Sequence, residues 1–229
     1  MLKKYKYLWT HRIKRKMTFG EQKKNNEENQ RIYKYSLYDR LNIKKSNIFW
    51  KIVDLLASRI EGIGKLYEKS VSKEYIRESR IFDISNSNHI LHIGCGAYPV
   101  TAITLSKNNG CRIVGIDRNL KSVKKAIEIV KRMNLHDKIK IKHGDGSNYP
   151  ISDFDTIIIS SCSTPKKPIL ENIFENAKKN SKIIVREIHG ANRLVHDMIE
   201  LYDDIVLVKK IENNPFPTAH WESFYLIKK

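Results

Sequence analysis

The run His89-Ile90-Leu91-His92-Ile93-Gly94-Cys95-Gly96-Ala97-Tyr98-Pro99 passes from an apolar segment straight into a glycine turn. Two glycines around one residue permit a tight turn and let the backbone approach a ligand with no Cβ in the way. The residues that follow, 100–108, read as a helix, and Pro99 suits the start of one. A strand, a glycine turn and a helix in this order build the ligand-binding corner of an open parallel sheet, because ligands there lie beyond the carboxyl ends of the strands. The next apolar run, 112–116, ends at Asp117. That acid comes about 20 residues after the turn, the distance expected of a carboxylate that binds ribose hydroxyls.

Beyond this corner, short runs rich in Ile and Val alternate with helical stretches. Strands are expected at 139–142, 155–160, 182–187, 205–211 and 223–227, and helices at 120–133, 169–180 and 191–201. Near-continuous apolar strands joined by helices predict an α/β, doubly wound, mainly parallel sheet of seven strands. No helix separates the last two strands, so they are expected to pair as an antiparallel edge hairpin. That departs from an all-parallel dinucleotide fold and favours the Rossmann-like sheet of class I methyltransferases.

Upstream, Ile48, Phe49, Ile52, Leu55, Leu56, Ile60, Ile63 and Leu66 recur at three- and four-residue steps, with Ser46 placed to cap the first turn. A second helix is expected at 73–81 and a polar linker at 83–88. The chain thus divides into a basic arm (1–45), a helical region covering the active site (46–87) and the sheet domain (88–229).

Its 229 residues and 41% hydrophobic content fit a globular protein with a full core. No run approaches the ~18 apolar residues of a spanning helix, and residues 1–17 lack the apolar stretch of a signal peptide. Three cysteines are too few for a disulfide framework, so the expected compartment is the cytoplasm. The formal charge is +18, and residues 1–50 carry fourteen Lys and Arg against four acids. Interleaved with Tyr5, Tyr7, Trp9, Tyr33, Tyr35 and Tyr38, these bases could track a phosphate backbone while rings stack on nucleobases. The alternatives are a solvated appendage and a lid over the pocket.

The third position of the loop separates the cofactors. Dinucleotide loops usually carry Gly or Ala there, whereas this chain has Pro99. S-adenosylmethionine has no pyrophosphate to seat on the helix and needs contacts only to ribose, adenine and methionine. The expected cofactor-binding residues are Gly94, Cys95, Gly96, Asp117 with its neighbour Arg118, Asp145 and Gly146 after the third strand, and Ser160 and Ser161 after the fourth. For Asp145 a plain tight-turn acid is the competing reading. The Asn/Asp-Pro-Pro-aromatic signature of amino-methylating enzymes is absent after the fourth strand, which weighs against methylation of an exocyclic base nitrogen. Cys95, Cys162 and His189 follow neighbouring strands without metal-ligand spacing, so no metal is expected and His189 is a candidate acceptor-site residue.

The loop Ile93-Gly94-Cys95-Gly96-Ala97-Tyr98-Pro99-Val100-Thr101 resembles the Gly-x-Gly-x-x-Pro-x-Thr loop of the nicotianamine synthase family. Thr164-Pro165-Lys166-Lys167 and Arg186-Glu187-Ile188-His189-Gly190-Ala191-Asn192-Arg193 are similar to further stretches of it, and the likeness covers about half the chain. The resemblance implies S-adenosylmethionine as cofactor and transfer of its aminocarboxypropyl group, rather than its methyl, to a small amine or amino-acid acceptor. It also implies a preceding helical domain that supplies a catalytic Tyr and Glu, for which Tyr75 and Glu61 are the candidates. The rival reaction is methyl transfer to a small molecule or RNA.

Overall fold

The computed structural model describes residues 37–84, 89–188, 191–216 and 219–229. Two compact units divide at residue 40; of the first, only the opening turn of a helix is described. That helix, α1 (Leu37–Arg59), continues into the second unit and is followed by α2 (Glu61–Ile81). Then come β1 (His89–Ile93), α3 (Val100–Asn109), β2 (Arg112–Asp117), α4 (Leu120–Arg132), β3 (Ile139–His143) and β4 (Thr156–Ile159). The chain closes with α5 (Lys166–Asn176), β5 (Lys182–Ile188), α6 (Arg193–Glu200), β6 (Ile205–Phe216) and β7 (Ala219–Lys228).

The strands form one seven-stranded sheet in the order β3-β2-β1-β4-β5-β7-β6. All neighbours pair in parallel except β7, which is antiparallel to both β5 and β6. The strand order reverses between β1 and β4, and a doubly wound sheet opens its binding crevice at that point. Ala57, Val71 and Tyr75 of the first two helices and Phe82 just after α2 share a core cluster with Ile103 of α3, Ile129 of α4 and Ile90, Ile113, Ile158 and Ile184 of the strands. Buried Ile, Val and Leu account for most of this core, and each contributes roughly 1.5 to 3 kcal/mol on leaving water. Helices α5 and α6 contact each other and, by the right-handed crossover rule, cover the opposite face.

The helical layer departs from the sequence reading in three ways. Ser46 lies inside α1, which extends back to Leu37, so it does not cap that helix. The break falls at Ile60, whose extended backbone (φ −115°, ψ 111°) turns the chain, and α2 then runs unbroken from Glu61. Most telling is the face of α1 that turns inward. Ile48, Ile52, Leu55 and Ile60, the expected core stripe, are each about half exposed. Ala57 and Ser58 are buried instead, Trp50 packs against the core cluster, and Asp54 reaches the glycine loop. A helix with apolar residues on two faces has an ambiguous period, and the aromatic side chains of α2 and β7 decide which face they take.

A cleft at the carboxyl edge of the sheet

After β1 the chain turns at Gly94 (φ +77°) and Gly96 (φ +70°), in the left-handed region that L side chains rarely adopt. Neighbours impose the same choice. A Cβ on Gly94 would lie 2.1 Å from Ser163 Oγ, and one on Gly96 would lie 2.7 Å from Asp54 Oδ1. Gly96 N donates to Asp117 Oδ2 at 3.0 Å, so the acid ending β2 is held against the turn, and its Oδ1 accepts from Asn119 N at 2.8 Å. The next two amides, Ala97 N and Tyr98 N, donate to Asp54 Oδ2 and Oδ1, each at 2.8 Å.

A cavity of about 480 Å³ opens above this edge. Gly94, Cys95, Gly96, Asp117, Arg118, Asp145, Gly146, Ser160, Ser161 and Tyr75 all line it, so the structure gathers these ten expected site residues into one place. Asp145 Oδ1 accepts from Ser147 N at 2.9 Å and Ser147 Oγ at 2.8 Å, and those bonds hold its carboxyl below the usual range. Burial pushes the Cys95 thiol well above its usual pKa, so it is a packing and lining group and not a thiolate. Glu61 does not line the cleft: it is exposed at the start of α2, 2.7 Å from Lys65 one turn on. His189 lies outside the described residues. Among the described residues no group of His, Cys, Asp or Glu converges as a metal site.

Several lining residues are not singled out by the sequence. Asp54 is the main one: burial raises its pKa from 3.8 to about 6, against the two backbone hydrogen bonds, and Asp117 adds to the rise. His92 is buried on β1 with Nε2 2.8 Å from Ser160 Oγ; burial and the nearby Arg186 cation hold its pKa down to about 3, so the ring is neutral. Arg186 on β5 donates from Nε and Nη2 to Glu78 of α2, with Nη2 2.6 Å from Oε1, and from Nη1 to Thr101 Oγ1 at 2.8 Å. Its guanidinium carbon lies 4.1 Å from the Tyr75 ring centroid. Ser223 Oγ also donates to Glu78, at 2.6 Å. Beside this network, Lys166 donates to the carbonyls of Ser160 (2.7 Å), Arg186 (3.1 Å) and Ser161 (3.3 Å) and lies 3.6 Å from Glu187. Both are buried, and burial pulls the lysine pKa down and the glutamate pKa up. This buried ammonium shapes the turn after β4 that faces the glycine loop.

Trp50, Tyr67, Tyr75 and Trp221 line the same cleft as a run of touching rings. Centroids are 6.0 Å apart for Trp50 and Tyr67, 6.3 Å for Trp50 and Trp221, and 5.8 Å for Tyr75 and Trp221. The pocket therefore has two parts: a glycine loop with the carboxyls of Asp117 and Asp145 after β2 and β3, and an aromatic compartment under α1 and α2 that Asp54 joins to the loop. No helix among the described residues is long and apolar enough to cross a membrane.

Known proteins resemble the chain at two levels. An uncharacterized protein of Haemophilus influenzae is 26% identical over 111 residues, which are 45% of this chain and 44% of that protein, so the chain spans less than half the length of that relative. Among solved structures, a variant of the nicotianamine synthase MtNAS in complex with S-adenosylmethionine superposes with a TM-score of 0.67 at 16% identity, over 81% of this chain and 77% of that one. The [4+2]-cyclase SpnF gives 0.58 at 12% identity over 69% and 81%. A Pyrococcus abyssi tRNA (uracil-54, C5)-methyltransferase gives 0.53 at 15% identity over 67% and 38%. At such identities the likeness concerns the fold alone. Residues 84–220 match the family described as Methyltransferase domain, and that stretch is more than half of the chain; with its seven-stranded class I sheet, the chain belongs to the methyltransferase-domain family.

Proposed function

We propose that this chain transfers the aminocarboxypropyl group of S-adenosylmethionine to a small amine or amino-acid acceptor. The observation that carries the proposal is Asp54: a carboxylate delivered by the helical layer, in contact with the glycine loop and opening onto the aromatic compartment. The cofactor is S-adenosylmethionine, and the residues fit it. Gly94 and Gly96 leave a loop free of side chains. Asp117 is positioned for ribose hydroxyls, and Asp145, ionised at neutral pH, for the adenine amino group. Arg118 borders that end, while Cys95, Gly146, Ser160 and Ser161 shape the walls.

The cofactor supplies electrophilic carbons on its sulfonium, and the protein selects the carbon that meets the nucleophile. Asp54 is the residue suited to take the acceptor's proton, since each of its oxygens accepts one backbone N–H and retains a second lone pair. With a pKa of about 6 it is ionised at pH 7 and still basic enough to hold a proton in passing. Tyr75, whose phenol is kept neutral by burial, packs against Arg186 and Trp221 and positions the compartment wall. The extent of the MtNAS likeness supports this reading. Residues 84–229 are about 64% of the chain, so a match over 81% includes part of α1 and α2.

The by-product tests the proposal. Chromatography of reactions with amine and amino-acid acceptors should show methylthioadenosine. Adenosylhomocysteine in its place would make the chain a methyltransferase and overturn it.

A further inference from the structure

Helix α1 has two apolar faces, and the cleft uses one of them. Trp50, Asp54 and Ala57 turn inward, toward the core cluster and the glycine loop. On the other side Leu41, Ile48, Phe49, Ile52, Leu55 and Leu56, with Ile60 at the break, are each between 40% and 52% exposed. Ile48, Ile52, Leu55 and Leu56 follow one another at helical spacing, so they form a single stripe along the outside of the helix. Proteins that stay free in water rarely expose so continuous an apolar patch, and none of the described residues covers this one.

The free charges around the stripe are of one sign. Lys44, Lys45, Lys51 and Arg59 are exposed on α1, and so is Lys69 on α2. The acids of residues 41–69 are all engaged: Asp54 by the glycine loop, Glu61 by Lys65 and Glu68 by Lys107, the last two pairs each at 2.7 Å. This pattern argues against a second copy of the chain as the partner. Lys45, Ile52 and Arg59 stand two turns apart on one line of the helix, so two α1 helices packed antiparallel about Ile52 would set Lys45 against Arg59 at both ends. Apolar side chains framed by cations fit a partner that offers apolar matter and anions together.

We infer that the outer face of α1 docks on an anionic lipid surface. The helix lies in the plane of the interface, with its aliphatic stripe at the acyl boundary and Lys44, Lys45, Lys51 and Arg59 at the phosphates. Their aliphatic stems extend the apolar strip while the charged heads stay in the headgroup layer. The +18 charge of the whole chain adds attraction at longer range. Lys51 and Leu55 belong to both surfaces, since they are exposed and also line the cavity, so docking brings the mouth of the cleft to the lipid. The assignment does not depend on which group the enzyme transfers.

The test uses the full chain with vesicles of phosphatidylcholine, either pure or containing phosphatidylserine. Sedimentation should show binding to the anionic vesicles that is at least about tenfold tighter than to phosphatidylcholine alone and that weakens as salt is raised, since each base near an anionic surface contributes roughly fivefold. Ile48→Gln combined with Ile52→Gln changes two exposed residues outside the cleft. It should lower affinity for the anionic vesicles at least about tenfold and leave circular dichroism and S-adenosylmethionine binding as in the wild type. Lys45→Gln combined with Arg59→Gln should lower binding to the anionic vesicles and leave the weaker binding to phosphatidylcholine unchanged. No binding to anionic vesicles, whether or not RNA is bound, would overturn the inference. So would vesicle binding that survives the double isoleucine change, because the bases of residues 1–36 would then account for it, and so would a dimer in analytical ultracentrifugation that the same change converts to a monomer.

Discussion

Replacing Asp54 by Asn keeps the side chain's size and one acceptor but removes the titrating charge. The wild-type carboxyl moves from a pKa of 3.8 in the unfolded chain to about 6 in the fold, chiefly through burial. Because the folded value is the higher one, the fold favours the protonated form. The stability that Asp54 contributes is complete below pH 3.8 and is lost as pH rises through about 6. At 1.36 kcal/mol per unit, the full loss is about 3 kcal/mol, of which about 2.4 kcal/mol falls between pH 4 and 7. Urea unfolding of both proteins across that range should therefore give a stability difference, wild type minus Asp54→Asn, that falls by about 2.4 kcal/mol with rising pH. Taking the difference cancels the other titrating groups. Activity should run the other way: methylthioadenosine formation in the wild type should drop below pH 6 as the base is protonated, and the variant should lose roughly 10² to 10⁴ in rate at every pH. A group that weakens the fold in the same pH range where it enables turnover is kept for chemistry. A flat stability difference would show that the carboxylate is well solvated, and an unchanged pH profile would remove Asp54 as the base.

Two further perturbations address the rest of the cleft. Asp117→Ala should lower S-adenosylmethionine affinity at least about tenfold, from the loss of hydrogen bonds to a charged group, and calorimetry on folded protein showing unchanged binding would refute its role. Lys166→Met strands Glu187 and releases the carbonyls of Ser160, Ser161 and Arg186, so stability should fall by about 3 to 5 kcal/mol; a loss under 1 kcal/mol by urea unfolding would show that the pair is hydrated.

The glycine-loop half of the cleft was legible as a structural corner because its determinants are local. The strand, turn and helix are contiguous, and Asp117 sits 21 positions from Gly96, a separation fixed by one strand-helix-strand unit. The antiparallel β6/β7 pair was legible for the same reason, as two strands with no helix between them. Asp54 was not, since its contacts are with amides 43 and 44 positions away and on α1 it reads as one polar residue among apolar ones. Glu61 was the candidate for the Glu that the family resemblance implies in the helical region, yet its partner is Lys65 in solvent. Arg186 fell within a recognised stretch, but its pairing with Glu78, 108 positions earlier, depends on the docking of α2 on the sheet, which no local pattern records.

The glycine loop is gripped from two sides. Asp54 of α1 accepts from its amides, and Tyr98 presses on α2, with Cε2 2.7 Å from where a Cβ on Gly64 would stand and the hydroxyl 3.3 Å from Glu68. Those helices precede residue 84, where the family match begins. The loop takes its shape from chain that lies outside the matched region, so the matched domain is not a detachable part. Excising it would leave the loop amides facing water and Tyr98 without its seat, and grafting another helical layer onto it would require a carboxylate at the position of Asp54 and a glycine at that of Gly64. Asp54 and Gly64 are thus the positions of α1 and α2 where a changed side chain would meet the glycine loop directly.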